Sequence, residues 1–442
     1  MNKLERIIYN TVRGNPALKR RVRNLYQQAF DLLPAATVKS NYPIVERQGY
    51  FFGFHDHSPF SADNANLLAN SAAFDLRMPS KEDRLKVGFF SGEDFKTFTE
   101  IGETRAWNWH MGCRLQWRGD FNQVVFNDHI EGENVARLID IDSGQESVLA
   151  GAISSVSPDG SWGIGYSFSR VESCMPGYGY IHDVCETDLD HYRPESTGLY
   201  VIDLTSGNKR EFITIAELAE VNPSGSMKRA KHFFTHAQIS PDSQRFMFLH
   251  RWINPDGDID KRFSRLIVCA LDGSVVDTFN TNEMVSHIGW RGPEQVIAFC
   301  RVPVFDDQYV LFTVGKPEET KILGANWFSS DGHPSFDESG RWMLTDTYPD
   351  RRRVQTLALY DALKEIRLDI AKLPMPKDFQ SPSSSQHWAC DLHPRWDRQS
   401  RFLCFDATFS GQRSLCTIDL GDDVKSDSLK DLSKTYNHAK EK

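Results

Sequence analysis

The chain has 442 residues, a formal net charge of −9 from 60 acidic and 51 basic residues, and an aromatic share of 12%. That acidic balance excludes bulk nucleic-acid binding, and no apolar run is long enough to span a bilayer. The opening MNKLERIIYNTVRGN lacks the apolar core and cleavage site of a secretory signal, so a cytoplasmic location is expected. The eight cysteines have no framework spacing and are expected as reduced thiols, Cys269, Cys300, Cys404 and Cys416 within apolar strand-like runs.

Residues 1–40 read as a basic helical extension. Leu4, Ile7, Ile8, Val12, Leu18, Val22, Leu25 and Phe30 recur at helical spacing, broken at Gly14-Asn15-Pro16. Lys19, Arg20, Arg21 and Arg23 make it basic on an acidic chain. Two readings stand: residues 1–35 dock on a membrane or a glycan-assembly partner, or they form a solvated helix face covering the main domain.

From about residue 48 the pattern changes to short strands with turn signals. A unit of apolar residues, a polar turn and an apolar strand recurs seven times, from Ser58, Cys113, Ser154, Gln238, His287, His333 and His393. Most copies are followed by a second hairpin, as in LYVIDLTSGNKREFI and RLIVCALDGSVVDTF. One small sheet cannot bury both its faces, whereas radially stacked sheets can. The repeat therefore predicts an all-β, seven-bladed β-propeller over residues 48–421, with a long loop near 171–198. Residues 422–442 are polar and are expected to fray.

Several residues in this frame carry chemistry. RAWNWHMGCRLQWRGDFNQVVFNDH reads as two strands joined at Arg118-Gly119-Asp120, with His110 before the first and His129 after the second. A hairpin brings its outer ends together, so the two imidazoles are candidates to share one proton-transfer site; otherwise they are unrelated loop histidines. Cys390 and His393 form a C-x2-H pair, His333 holds the equivalent place one blade earlier, and Asp346 closes that blade's strand. Sulfur, two imidazoles and a carboxylate suit tetrahedral zinc, with His387 as a spare ligand; the alternative is a buried thiol with histidines bonded to backbone. Arg170, Tyr178 and Tyr180 in the PGYGY segment, Arg193 and His236 are further candidates, as are His55, Asp56 and His57. Arg251 and the aspartates of 256–260 read equally well as solvated loop. No P-loop, dinucleotide fingerprint or nucleophile elbow is present.

The segments HDHSPFS, AWNWHMGCRLQW, FND, SVSPDG, FSR followed by PGYGY, LHRW, GHPSF…TDTYPD and CDLHPRW…FD together resemble the seven-bladed propeller polysaccharide lyases. The ulvan lyases are the nearer resemblance, the oligogalacturonate lyases the more distant, over about residues 48–420. The resemblance implies β-elimination on a uronic-acid-containing polysaccharide. It makes His110 and His129 the proton-transfer pair, with Tyr180 or Tyr178 as the phenol. Arg170, Arg193 and His236, with Tyr178, become substrate-binding residues, and His333, Asp346, Cys390 and His393 a structural zinc site. Ulvan lyases are typically secreted, and this chain shows no signal peptide. The alternative function is therefore a non-catalytic glycan-binding or scaffolding propeller in surface-polysaccharide assembly; a glycan transferase using the same channel is a third reading.

Overall fold

The computed structural model describes residues 8, 11–12, 15–30, 33–71, 73–257, 261–303, 306–383 and 386–432. Seven antiparallel sheets follow one another along the chain. They span residues 50–104, 116–149, 155–214, 231–278, 285–322, 335–374 and 395–419, numbered here as blades 1 to 7. Each sequence repeat supplies the inner hairpin of one blade, as the periodicity predicts.

The repeat's polar turn has a physical basis. In blade 3, Ser157 Oγ donates to Asp159 Oδ1, which accepts the Ser161 amide at 3.0 Å, while the Trp162 amide donates to Ser157 Oγ at 3.1 Å. Blade 4 repeats this with Ser240, Asp242, Gln244 and Arg245, and blade 1 with Ser61, Asp63, Ala65 and Asn66. Blade 6 exchanges the pair, Asp337 accepting the Trp342 amide at 2.8 Å and the Ser339 hydroxyl at 2.6 Å, and in blade 7 Asp397 accepts the Phe402 amide at 3.0 Å. The short side chains hold the tight turn and satisfy backbone donors that the ladder leaves unpaired.

The cores lie between blades. Met247, Leu249 and Leu266 of blade 4 pack with Val296, Ala298 and Val310 of blade 5. Phe299, Tyr309 and Leu311 of blade 5 pack in turn with Met343 and Tyr360 of blade 6. Apolar burial is thus shared around the ring, the stacking that makes a single blade dependent on its neighbours.

The N-terminal segment closes the ring. Val45–Gln48 is the outer strand of blade 7, paired with Ser414–Asp419, and Lys39–Ser40 adds an outer strand to blade 6. Sheet pairing therefore begins upstream of residue 48. The described part of the C-terminal segment is also docked: Tyr42 Oη donates to Asp423 Oδ2 at 2.8 Å, the Lys430 amide donates to Tyr42 Oη at 3.0 Å, and Val424 and Leu432 are buried. The expectation of fraying from Asp422 is corrected for residues 422–432; residues 433–442 lie outside the described residues. The long connection of blade 3 opens with a helix, Phe168–Cys174, before its loop begins. All eight cysteines are free thiols, Cys185 alone among them exposed.

Candidate functional site

The propeller places the start of each inner strand at the central channel. His236 stands three residues before Ile239 of blade 4, as His287 does before Trp290, His333 before Phe336 and His393 before Trp396. Phe54 lies among them, with ring centroids 4.9 Å from His236, 5.0 Å from His393, 6.2 Å from His287 and 6.3 Å from His333. His55 joins the same cluster, 5.2 Å from His333. The backbone is strained here: His236 (φ 58°) and His393 (φ 42°) occupy the left-handed region that side chains other than glycine rarely adopt. Blade 2 has Arg114 (φ 57°) at the equivalent place, buried in an ion pair with Asp56 at 2.7 Å.

At the mouth of this channel His110 and Tyr178 stack, with centroids 4.7 Å apart and planes at 10°. His110 Nε2 and His387 Nδ1 share a hydrogen bond, and the His387 ring is also 5.4 Å from Tyr178. The loop carrying His110 is held by the Asn108 carboxamide, which accepts the amides of His110 and Met111, and by the backbone of Gly53 packed on Met111. Tyr348, partly exposed, faces His333 at 5.6 Å. Asp331 accepts from His287 Nδ1 at 3.0 Å, and Asp346 from His333 Nδ1 at 2.8 Å.

The electrostatics follow from burial. Desolvation, with His387 and Arg413 adding to it, drives the His110 imidazole well below its ordinary pKa, so it stays neutral. Burial drives His236, His333 and His393 down as well. Burial pushes the Tyr178 phenol up to about 12 and the Asp391 carboxyl up to about 7, the latter helped by the nearby Asp346. Arg251 is 8% exposed, and its Nε has no hydrogen-bond partner. Its guanidinium makes one long bond to the Ser286 carbonyl, at 3.3 Å, and no ion pair among the described residues. Burial lowers Arg251 to about 10, and its charge acts directly on Tyr178.

The sequence-predicted residues divide sharply. His110, Tyr178 and His236 meet at the channel. His129 does not join them: it lies inside the strand Gln123–Ile130, opposite Asn134, and stacks on His182 at 4.0 Å beside a separate cavity of about 280 Å³ that Arg84 and Arg105 help to line. The hairpin's second strand simply runs two residues further than the sequence suggests. Tyr180 is a core residue, stacked on Phe168 with its hydroxyl bonded to Asn127 at 2.9 Å. Arg170 is spent on structure, donating to the carbonyls of His232, Asp188 and Leu189 among others. Arg193 pairs with Glu220 at 2.6 Å and reaches the Met227 carbonyl. Sequence reasoning missed Asp391 and Asp331 and placed Arg251 in a solvated loop. A signal for the two aspartates exists, since Asp331-Gly-His333 and Asp391-Leu-His393 repeat an Asp-x-His at equivalent blade positions.

The metal expectation changes in the same way. One group among the described residues gathers ligand atoms closely enough for an ion: His110, Asp391 and His393, all mutually within 4.8 Å. Of the expected set only His393 belongs to it. Asp346 is engaged by the His333 side chain and amide, and the buried Cys390 thiol faces the Asp391 carbonyl at 3.8 Å. Neutral imidazoles and a carboxylate fit a divalent cation that prefers nitrogen and oxygen, without the sulfur that favoured zinc. The neighbouring His236 has a buried Nδ1 with no partner among the described residues, a polar atom that the channel leaves free for a ligand.

No protein-family model matches the chain, and no curated protein matches it. Solved structures do. An oligogalacturonate lyase in complex with manganese superposes with a TM-score of 0.59, covering 89% of this chain and 100% of that one at 13% identity. The oligogalacturonate lyase from Vibrio parahaemolyticus gives a TM-score of 0.56, covering 88% and 99% at 12% identity. At such identity the likeness establishes architecture: the chain is a seven-bladed β-propeller with the fold of the oligogalacturonate lyases.

Proposed function

We propose that the channel mouth binds an acidic, uronate-containing oligosaccharide and cleaves it by β-elimination. The observation that carries this reading is Arg251. Among the described residues no carboxylate bonds this buried guanidinium, and Asp331 acts on it only at a distance; such a group is costly to keep, and an anionic ligand would supply a direct counter-charge. It stands within electrostatic reach of Tyr178, which is stacked on His110.

The chemistry needs three things. The uronate carboxylate must be neutralised so that its C5 proton becomes acidic, a base must take that proton, and an acid must protonate the departing C4 oxygen. The C5–H electron pair then becomes the C4–C5 double bond as the C4–O bond breaks. Arg251 binds the carboxylate. His387, half-buried at the mouth, is positioned as the base. Tyr178, held protonated by burial, is the acid. His110, Asp391 and His393 would hold a divalent cation, which adds positive charge at the carboxylate when bound; the oligogalacturonate lyase neighbour is a manganese complex. His110 thereby moves from proton transfer to cation binding, and the oligogalacturonate-type substrate gains weight over the ulvan type.

The test is growth of the unsaturated-uronate absorbance with oligogalacturonate, ulvan and other uronate polysaccharides, with and without manganese. Tyr178→Phe is expected to lower the rate by about 10²–10⁴-fold. Arg251→Ala is expected to weaken substrate capture by roughly 10–100-fold. Retention of these glycans with no absorbance change from any of them would sink the lyase reading in favour of a glycan-binding propeller.

A further inference from the structure

The helix Pro16–Phe30 is docked the wrong way round for an ordinary surface helix. A helix covering a domain turns its apolar stripe inward and its polar face to solvent. Here the polar face does the docking. Gln27, buried, donates to the Asp350 carbonyl at 2.9 Å, and Gln380 donates to Asn24 Oδ1 at 2.8 Å and Gln27 Oε1 at 3.0 Å. The Arg351 guanidinium covers Phe30 at 5.0 Å, and Arg352 donates to the Pro34 carbonyl at 2.7 Å, tying down the segment that follows.

Three of the helix's larger apolar residues are left outside while Val22 and Phe30 are half-buried. Leu25 is 68% exposed, Leu18 45% and Tyr26 36%, and Leu33 just beyond the helix is 49% exposed. Leu18 and Leu25 lie two turns apart and so share one face. Exposed Arg21 lies beside this stripe, with exposed Arg351 and Arg352 on the supporting loop. A basic, apolar strip on a chain of net charge −9 is complementary to one kind of surface above others. Apolar side chains enter the headgroup boundary while arginines meet anionic lipid, the pattern of a helix lying in a membrane interface. No helix among the described residues is long and apolar enough to cross a membrane, so the contact is a surface one.

The position adds a consequence. The loop under the helix follows Asp346, whose carboxylate bonds His333 in the channel. The segment containing Gln380 continues to His387 and Asp391 at the channel mouth. The helix therefore sits on the mouth side of blade 6. We propose that the helix Pro16–Phe30, with Leu33, forms an interfacial anchor that sets the channel-mouth face of the propeller against an anionic phospholipid surface. This stands apart from the lyase reading and survives its failure.

The experiment is flotation of the full chain with vesicles of phosphatidylcholine alone and of phosphatidylcholine with phosphatidylglycerol. Co-flotation is expected with the anionic vesicles and is expected to fall as salt is raised. Leu25→Asp should reduce the bound fraction by about tenfold or more, since a buried leucine is lost and a like charge is added. Arg21→Glu should reduce it by about tenfold without touching the apolar stripe. Both residues are exposed, so an unchanged unfolding transition is expected; should Leu25→Asp misfold, Arg21→Glu still decides. Equal flotation with both vesicle types, or none with either, overturns the proposal. So does a dimer in sedimentation that Leu25→Asp dissolves while vesicles are ignored, because a second copy would then be the occupant.

Discussion

Asp56 and Arg114 show how one residue pair can set a channel. Both side chains are at most 1% exposed, and Arg114 donates to both carboxylate oxygens, at 3.0 and 2.7 Å. Burial alone would raise the Asp56 carboxyl, but Arg114 and His57 outweigh it and hold it well below the usual carboxylate range. A buried pair is expensive to break because the survivor stays charged and unpaired. Asp56→Asn is therefore expected to cost about 3–5 kcal/mol by chemical denaturation. A depressed carboxyl contributes fully above its unfolded pKa, so the loss should be as large at pH 5 as at pH 7; a penalty that vanishes at pH 5 would contradict the assignment. Reading by residue type found His55-Asp56-His57 but not its partner, because Arg114 breaks the run of histidines that marks the equivalent position in four other blades. The choice between Tyr178 and Tyr180 was equally hidden. Two tyrosines in one glycine-rich loop differ in which neighbour each packs against, Phe168 of the same connection or His110, and only the His110 contact crosses blades.

Elements were legible where they repeat and illegible where they pair across the whole chain. The polar turns, Ser-x-Asp in blades 1, 3 and 4 and other polar or glycine-bearing turns in the rest, make the inner hairpins visible locally, and so the blade number follows. The closing strand Val45–Gln48 has four residues and finds its partner Ser414–Asp419 at the far end of the sequence, with no local signal for it. Arg47 fixes that closure. It is buried, donates to the Phe95 carbonyl at 2.7 Å and to Thr417 Oγ1 at 3.2 Å, and lies 5.3 Å from the centre of the Phe90 ring, linking blade 7 to blade 1. Arg47→Ala removes these bonds and leaves buried acceptors unsatisfied, an expected loss of about 2–4 kcal/mol at roughly 1–2 kcal/mol for each. The measurement is the urea midpoint, paired with limited proteolysis of the segment before residue 48. A wild-type midpoint with unchanged proteolysis would mean that Arg47 is not the latch.

A propeller that fills its channel and inter-blade spaces with imidazoles acquires a pH dependence as a whole molecule. Burial drives His55, His110, His236, His250, His333 and His393 well below the ordinary histidine value, and His232 down to about 4. His232 and His250 are bonded to each other at 2.8 Å, and Arg265 donates to His250, which leaves that pair no room for an added proton. Between about pH 6.5 and 4 the unfolded chain binds protons at these sites and the folded one does not, so stability must fall as pH falls through that window. Four carboxyls oppose this, Glu172 and Glu186 being raised by burial as well. Asp346 and Asp391, pushed up to about 7 by burial, hold protons in the folded state that the unfolded chain has released. His287 is raised because Asp331 outweighs the effect of burial, but it is protonated in both states at the acid end of the window and changes little there. The seven depressed imidazoles outnumber the four carboxyls, and each net missing proton is worth about 1.4 kcal/mol per pH unit. Denaturant midpoints measured at pH 7, 6 and 5 are therefore expected to drop steadily, with the largest step below pH 6.5. A flat or rising series would mean that the imidazoles take up protons without unfolding, and that the channel is wetter and more open than its packing indicates.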